Sequence, residues 1–208
     1  MSTSLIPLTY KNMKINLLDT PGGFDFSGAV MEALRAADAA IIVCSAKDGI
    51  TVGFEKAWKY CEERNMPCFI YISKVDEENA DYNVTFNALR ERYGNRIAPV
   101  VVPIWDDNHK VTGIIDVLNK RAFEMQNLKR VEIPVPEGKE SVITEFNDAL
   151  KESVAETSDA FMDKFFGGED FTYAEMIKGL HTGVVTRTLF PVLCGSGVTC
   201  LGSLMLMD

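Results

Sequence analysis

No apolar run in these 208 residues approaches the roughly 20 needed to cross a bilayer. The start Met1-Ser2-Thr3-Ser4-Leu5 also lacks a positive stretch followed by an apolar one, so neither a membrane anchor nor an export signal is read and a cytoplasmic location is expected. Positive charge is in deficit: 21 Lys and Arg stand against 30 Asp and Glu, for a net charge of −9, and the bases are scattered. Such a chain has no electrostatic grip of its own on a bare phosphate backbone, which excludes DNA as a direct partner. The cysteines Cys44, Cys61, Cys68, Cys194 and Cys200 are odd in number and form no Cys-x-x-Cys pair. A zinc ribbon or disulfide framework is thereby disfavoured, and reduced core thiols are expected. Histidine is scarce too: His109 and His181 fall in a turn and a late helix, where structural roles outweigh catalytic ones.

What is present is a soluble, core-forming composition, 47% hydrophobic with a mean hydropathy of +0.01. The organising stretch is Ile15-Asn16-Leu17-Leu18-Asp19-Thr20-Pro21-Gly22-Gly23-Phe24, an apolar strand that stops at an acid, a proline and two glycines. Open α/β sheets place ligands beyond the carboxyl ends of their strands, and a glycine lets backbone N–H groups approach an anion without hindrance from Cβ. Alone, Asp19-Thr20-Pro21-Gly22 reads more readily as an ordinary strand-to-helix turn. A second strand, Phe69–Ser73, ends in Lys74-Val75-Asp76 and strengthens the first signal.

Periodicity predicts strands at Leu5–Tyr10 and Lys14–Leu18 about a Lys11-Asn12 turn, a helix at Gly28–Ala37, and a strand at Ala39–Cys44 covered on both faces. A helix at Phe54–Arg64 and a strand at Met66–Ile72 follow. Alternating strands and helices with short joints imply right-handed crossovers and a mostly parallel sheet. After Arg96 the pattern turns antiparallel. Pro99–Ile104 and Val111–Asp116 flank Asp106-Asp107-Asn108-His109, and Ala122–Met125 and Leu128–Ile133 flank Gln126-Asn127, giving two hairpins. A single long helix is predicted from Val142 to Phe166. From Glu137 to Asp170 there are ten acids and three bases, read as a solvated helix face with an acidic docking surface as the rival. Thr172-Tyr173-Ala174-Glu175 is a capping box opening a further helix. Leu189–Leu193 resumes the strand pattern and Cys194-Gly195-Ser196 the loop pattern, before the opening turns of a helix at Leu201–Met207.

The loops at Asp19, Ser73 and Cys194 are expected to follow strands of one sheet and open on one edge. That arrangement suits guanine recognition. The Asp76 carboxylate can accept from both the ring N–H and the exocyclic amine of guanine, a donor pair adenine lacks. The Lys74 stem can lie across the purine face, and Gly195 and Ser196 can present N–H groups to the guanine carbonyl. Asp19 could hold Mg²⁺ through water while the Gly22 N–H senses a γ-phosphate.

Lys14–Phe26, Ser73-Lys74-Val75-Asp76, Phe166-Gly167-Gly168-Glu169 and Pro191–Ser196, in that order, resemble the G domain of elongation factor G over essentially the whole chain. The resemblance implies an α/β, P-loop GTPase-like sheet with helices on both faces and an inserted α+β subdomain. It divides the chain into a partial G-domain core at 1–97, the insert at 98–186, and a return to the core at 187–208. It implies GTP or GDP with Mg²⁺ as cofactors of the parent protein, the ribosome as partner and protein biosynthesis as setting. The implied nucleotide-binding residues are Asp19, Thr20, Pro21, Gly22, Gly23, Ser73, Lys74, Val75, Asp76, Cys194, Gly195 and Ser196, with Asp19 toward the metal.

Two departures matter. Where elongation factor G carries the histidine that positions the attacking water, this chain has Gly23, and Ser73 stands where asparagine is usual, which should weaken a tie between loops. No Gly-x-x-x-x-Gly-Lys-Ser/Thr loop exists: the one Gly-Lys pair is Gly138-Lys139, followed by Glu140. In the family that loop and its strand precede Met1, so the chain is read as an internal fragment whose sheet lacks the strand between Lys14–Leu18 and Ala39–Cys44. No tightly bound nucleotide, little hydrolysis and self-association through the open edge are expected of it alone. Two classes stay open: a GTP-hydrolysing switch, and a GTP-dependent or nucleotide-independent ribosome-binding module.

Overall fold

The computed structural model describes residues 2–106 and 109–208. β1 (Ser4–Tyr10) and β2 (Met13–Asp19) form an antiparallel hairpin in register from Ser4 opposite Asp19 to Tyr10 opposite Met13. Lys11 and Asn12 turn it at φ +46° and +63°, the paired positive values whose twist matches that of the flanking strands. A 3-10 turn at Phe24–Phe26 leads into α1 (Ser27–Ala36).

The alternation anticipated from sequence follows: β3 (Ala40–Ser45), α2 (Val52–Glu63), β4 (Cys68–Ser73), α3 (Tyr82–Tyr93) and β5 (Ile97–Pro99). Thr51 and Asp81 set the starts of the two helices by accepting from the N–H groups of Phe54 and Val84. β6 (Val101–Trp105), β7 (Val111–Asp116), β8 (Arg121–Gln126) and β9 (Lys129–Ile133) then form an antiparallel meander. Asp107 and Asn108, at the centre of the first predicted turn, lie outside the described residues. α4 (Glu140–Ala155), α5 (Asp159–Phe166) and α6 (Tyr173–Thr186) precede β10 (Phe190–Cys194) and the short α7 (Ser203–Met207). The capping box at Thr172 and Glu175 is present.

The parallel sheet has the order β3-β4-β10-β5. β10 enters between β4 and β5, so the chain leaves the sheet, builds the insert and returns to its middle. Pro99 pairs with Val192 there, so the first residue of the predicted strand at Pro99–Ile104 belongs to the parallel sheet and the meander begins at Val101. Both sheets share one contiguous core, running from Trp58, Ile70 and Ile72 through Leu89 and Ile97 to Ile115, Phe146 and Leu150.

Three expectations are corrected. β1 and β2 make a separate two-stranded sheet and do not bond to β3, so the loops after β2, β4 and β10 do not all follow strands of one sheet. β3 is buried on one face alone: Ile42 and Cys44 are in the core, but Ile41 and Val43 are 40% and 58% exposed. The predicted helix over Val142–Phe166 is two helices. The Thr157 hydroxyl donates to the Val154 carbonyl at 2.7 Å, and Ser158 goes extended at φ −162° so that its oxygen accepts from the Phe161 N–H. Short polar side chains that bond their own backbone end one helix and cap the next.

Candidate nucleotide site

At the carboxyl ends of β4 and β10, two loops meet. The Val75 N–H donates to the Gly195 carbonyl at 3.4 Å, and the Gly195 N–H donates to the Ile72 carbonyl at 3.0 Å. Gly195 is required by space: a Cβ there would lie 2.0 Å from the Leu201 carbonyl oxygen and 2.3 Å from Tyr71 Oη. Tyr71 Oη in turn donates to Leu201 O at 3.4 Å, and burial pushes its pKa up to about 12, so it stays a neutral donor. Gly202 closes the loop from the other side at φ +81°, where a Cβ would sit 2.1 Å from the Cys194 carbonyl oxygen. Cys194 is wholly buried and burial raises its thiol pKa, which makes it a packing residue and no nucleophile.

Lys74 and Asp76 emerge exposed on either side of buried Val75. Lys74 adopts φ +60° and its ammonium lies 3.3 Å from Glu77. The Glu77 N–H donates to the Lys74 carbonyl at 3.2 Å, closing a turn with Val75 and Asp76 at its centre, and Asp76 is exposed there. The Ser73 hydroxyl donates to the Cys44 carbonyl at 3.1 Å, so it ties β4 to the end of β3.

The two amides expected to face a guanine carbonyl are already used. Gly195 N–H goes to Ile72, and Ser196 N–H donates to Leu201 O at 3.0 Å. Ser196 is fully buried, its hydroxyl oxygen accepting from the N–H groups of Val198 and Thr199 at 3.2 and 3.1 Å. Sequence reasoning missed Gly197. Its amide donates to no group among the described residues, and no atom lies within 4 Å of a Cβ built on it. The small-residue pair Ser196-Gly197 was the available signal, since a serine that folds its hydroxyl back onto later amides leaves the intervening one pointing out.

The residues expected on the phosphate side follow β2, a strand of the separate two-stranded sheet. Asp19 is exposed at the end of β2, Thr20 and Pro21 are half-buried, and Gly22 stands in open space. Gly23 O accepts from Phe26 N–H at 3.0 Å, and a Cβ on Gly23 would be 3.1 Å from the Phe26 ring. The hairpin is held elsewhere: Thr3 donates to Ala29 O at 3.2 Å, and at the tip Tyr10 and Lys11 reach Asp208 at 2.7 and 2.6 Å beside Arg130. Burial alone would raise the Asp208 carboxyl, but hydrogen bonds from Lys11, Tyr10 and Arg130 hold it at about 2. His109 and His181 are both exposed.

Among the described residues no three metal-capable side chains gather. Asp19 alone fits an ion that keeps most of its water, as Mg²⁺ does, and does not fit a metal held by a protein cage.

The family model for the elongation factor Tu GTP binding domain matches residues 1–208, the entire chain. This chain belongs to that family. Its fold is that of a translational GTPase G-domain fragment, in agreement with the likeness to elongation factor G read from the motifs. A crystal structure of a protein from Thermus thermophilus superposes with a TM-score of 0.91 at 32% identity, over 99% of this chain and 31% of that one. The G domain described here therefore spans about a third of the protein it matches.

Proposed function

We propose that this chain is the base-reading part of a GTP-binding translation factor that works on the ribosome, and that its parent protein binds and hydrolyses GTP. The observation that carries the reading is the meeting of the Lys74–Asp76 and Gly195–Gly197 loops through the Val75–Gly195 hydrogen bond. Asp76 accepts from the two guanine donors, the Lys74 stem covers the ring, and the Gly197 amide donates to the guanine carbonyl. Adenine presents neither donor pair nor acceptor in those places, so the same loops reject it. Cys194 and Gly195 form the rigid floor, and Ser73 holds β4 to β3 beneath it.

At the other end Asp19 would hold Mg²⁺ through water, and that ion, when bound, neutralises phosphate charge. Thr20 and Pro21 fix the turn, and Gly22 offers its N–H to the terminal phosphate. Residues 1–208 contain no Gly-x-x-x-x-Gly-Lys-Ser/Thr loop, so the phosphates are cradled by a part of the longer protein outside them. Calorimetry with GDP tests this. Micromolar or tighter binding is expected for the longer protein and little for residues 1–208. Tight binding to the longer protein that Asp76→Ala leaves unchanged would overturn the assignment of the base site.

Gly23 favours a second reading in which the fold serves as a GTP-dependent or nucleotide-independent ribosome-binding module. A residue without a side chain orients no water and stabilises no charge. Phosphate release by the longer protein with and without ribosomes decides between the two. Tight GTP binding with no ribosome-stimulated release selects the module.

A further inference from the structure

The amino end of the parallel sheet, opposite the loops after β4 and β10, carries a cavity that the proposed nucleotide site does not use. It opens where α2 and α6 end and β4 and β10 begin, and its volume is about 230 Å³. Trp58, Met66 and Phe190, all three buried, give it an apolar floor, and its charged residues are Arg96, Arg187 and Glu62. The Arg96 guanidinium lies over the Trp58 and Phe190 rings, 5.4 and 5.2 Å from their centroids, and its Nε–H donates to the Tyr93 carbonyl at 3.0 Å. Stacking and that bond hold the planar fork in place before any ligand arrives. Glu62 lies 3.6 Å from the fork, too far for a hydrogen bond, so among the described residues the Nε–H alone of its five N–H groups is taken by one. Arg187 sits at φ +62° where α6 ends, and its Nη1 donates to the Asn65 side chain.

Two guanidiniums against one carboxylate give this rim a positive excess in a chain of net charge −9, above a floor of aromatic rings and a thioether. We propose that the cavity is a binding site for a small aromatic carboxylate. Its ring packs on the Trp58, Met66 and Phe190 surface beside the guanidinium, and its carboxylate accepts from the unused N–H groups of Arg96 and from Arg187. The fork of an arginine matches the two oxygens of a carboxylate, and an apolar floor that keeps water away strengthens the bond. A cavity of about 150 Å³ holds benzene, so this larger one admits an aromatic ring system together with its carboxylate. A cationic ligand is disfavoured, because the two guanidiniums already stand where its charge would go.

Calorimetry of the folded chain with 2-naphthoate tests the site, with 2-naphthalenemethanol as an uncharged counterpart of similar shape. A ligand of this size should bind with a Kd of about 0.1 mM, and the alcohol about 10-fold more weakly or worse. Arg187→Asn removes a charge while keeping a residue at ease at positive φ, and Arg96→Gln removes the fork. Each should weaken the carboxylate by about 10-fold and bring it level with the alcohol. In spectra of the unsubstituted chain the Trp58 indole N–H and the Phe190 amide should shift as 2-naphthoate is added, and the amides of Lys74 and Gly197 should not. The proposal is overturned if 2-naphthoate does not bind at millimolar concentration, or if the shifts centre away from Trp58 and Phe190. Equal binding of carboxylate and alcohol would overturn it too, leaving the arginines only to offset the carboxyl ends of α2 and α6. The spectra decide even where a variant does not fold, and no nucleotide enters any of these readings, so the base site stands or falls separately.

Discussion

The Val75 N–H and the Gly195 carbonyl, 120 positions apart in the chain, meet at 3.4 Å and lock the loops after β4 and β10, the two proposed to read the base, to each other. That lock depends on Gly195 having no side chain. Gly195→Ala would place a methyl 2.0 Å from the Leu201 carbonyl oxygen, a backbone atom that cannot step aside. Overpacking of this kind costs about 3 kcal/mol, or roughly 6–12 °C of melting temperature in a domain this size. Gly197→Ala, with no atom within 4 Å, should stay within about 0.5 kcal/mol. Thermal melts of the two variants test the contrast, and equal melting temperatures would refute it.

Asp76 offers a change of specificity as well as a loss. Asp76→Asn replaces one acceptor oxygen with an NH₂ donor. That donor no longer matches the exocyclic amine of guanine, but it matches the carbonyl that xanthine carries at the same ring position. In the longer protein GDP binding should weaken by about 10- to 100-fold, the range of one or two charge-assisted hydrogen bonds, while xanthosine diphosphate gains. Competition binding with both nucleotides reads the exchange. A loss for both without a switch would mean that Asp76 supports the loop and does not read the base.

Gly23→His asks whether hydrolysis is limited by the missing side chain. Gly23 does not have a positive φ, so an L-residue fits its backbone, and the new Cβ meets only the edge of the Phe26 ring at 3.1 Å, a side chain able to yield a few tenths of an ångström. If water positioning is what the chain lacks, ribosome-stimulated phosphate release by the longer protein should rise by about 10² or more. Unchanged release with unchanged GTP affinity would show that this loop is not where the reaction is held back.

The sequence made some of these relationships readable and hid others for physical reasons. Local signals carried far: Lys11-Asn12 turned its hairpin, Thr172 and Glu175 capped α6, and apolar runs became β3, β4 and β10. The residues proposed to face guanine stand out because each sits just past an apolar run, where strand ends place ligands. What local pattern could not reveal was the competition for backbone donors. The Ser196 amide looks free in sequence and is taken by Leu201, a partner fixed only when α7 folds back. Nor could it show that β3 would be bare on one face, because Ile41 and Val43 read as core residues whatever lies beside them. The helix break at Thr157-Ser158 was in principle legible, as Ser158 is a good N-cap, but the apolar spacing on either side masked it.

Acid should loosen α6 in a predictable window. Glu175 is held at about 2, below its ordinary 4.5, first by the hydrogen bond from Lys164 and then by bonds from the Thr172 N–H and hydroxyl. A carboxyl whose pKa is depressed in the folded state contributes stability above its unfolded value, and that contribution is lost as pH falls from about 4.5 through about 2. Over that interval the Thr172 and Glu175 amides, the two held by the capping box, should lose protection from hydrogen exchange before the core strands do. Glu175→Gln should abolish the pH dependence of that protection, and a variant retaining the same acid transition would assign it to another group.

The bare face of β3 makes two neighbouring residues opposite in their tolerance. Ile42 is in the core at 4% exposure and Val43 is 58% exposed, although both are β-branched residues in the middle of one strand. Ile42→Lys buries an unpaired ammonium and should cost several kcal/mol, enough to unfold the chain. Val43→Lys keeps its charge in water and should change stability by no more than about 0.5 kcal/mol. A chain in which both substitutions are equally damaging would mean that β3 is covered on both faces after all. If the longer protein proposed above carries a further strand beside β3, the tolerance of Val43→Lys should be lost there. The lysine would then face a neighbouring strand and its helix instead of solvent, with a cost of about 2 kcal/mol or more. Urea denaturation of the substitution in both lengths of chain measures that difference. A gap between the two costs locates the strand that completes the sheet at the β3 edge, and equal small costs would place it elsewhere.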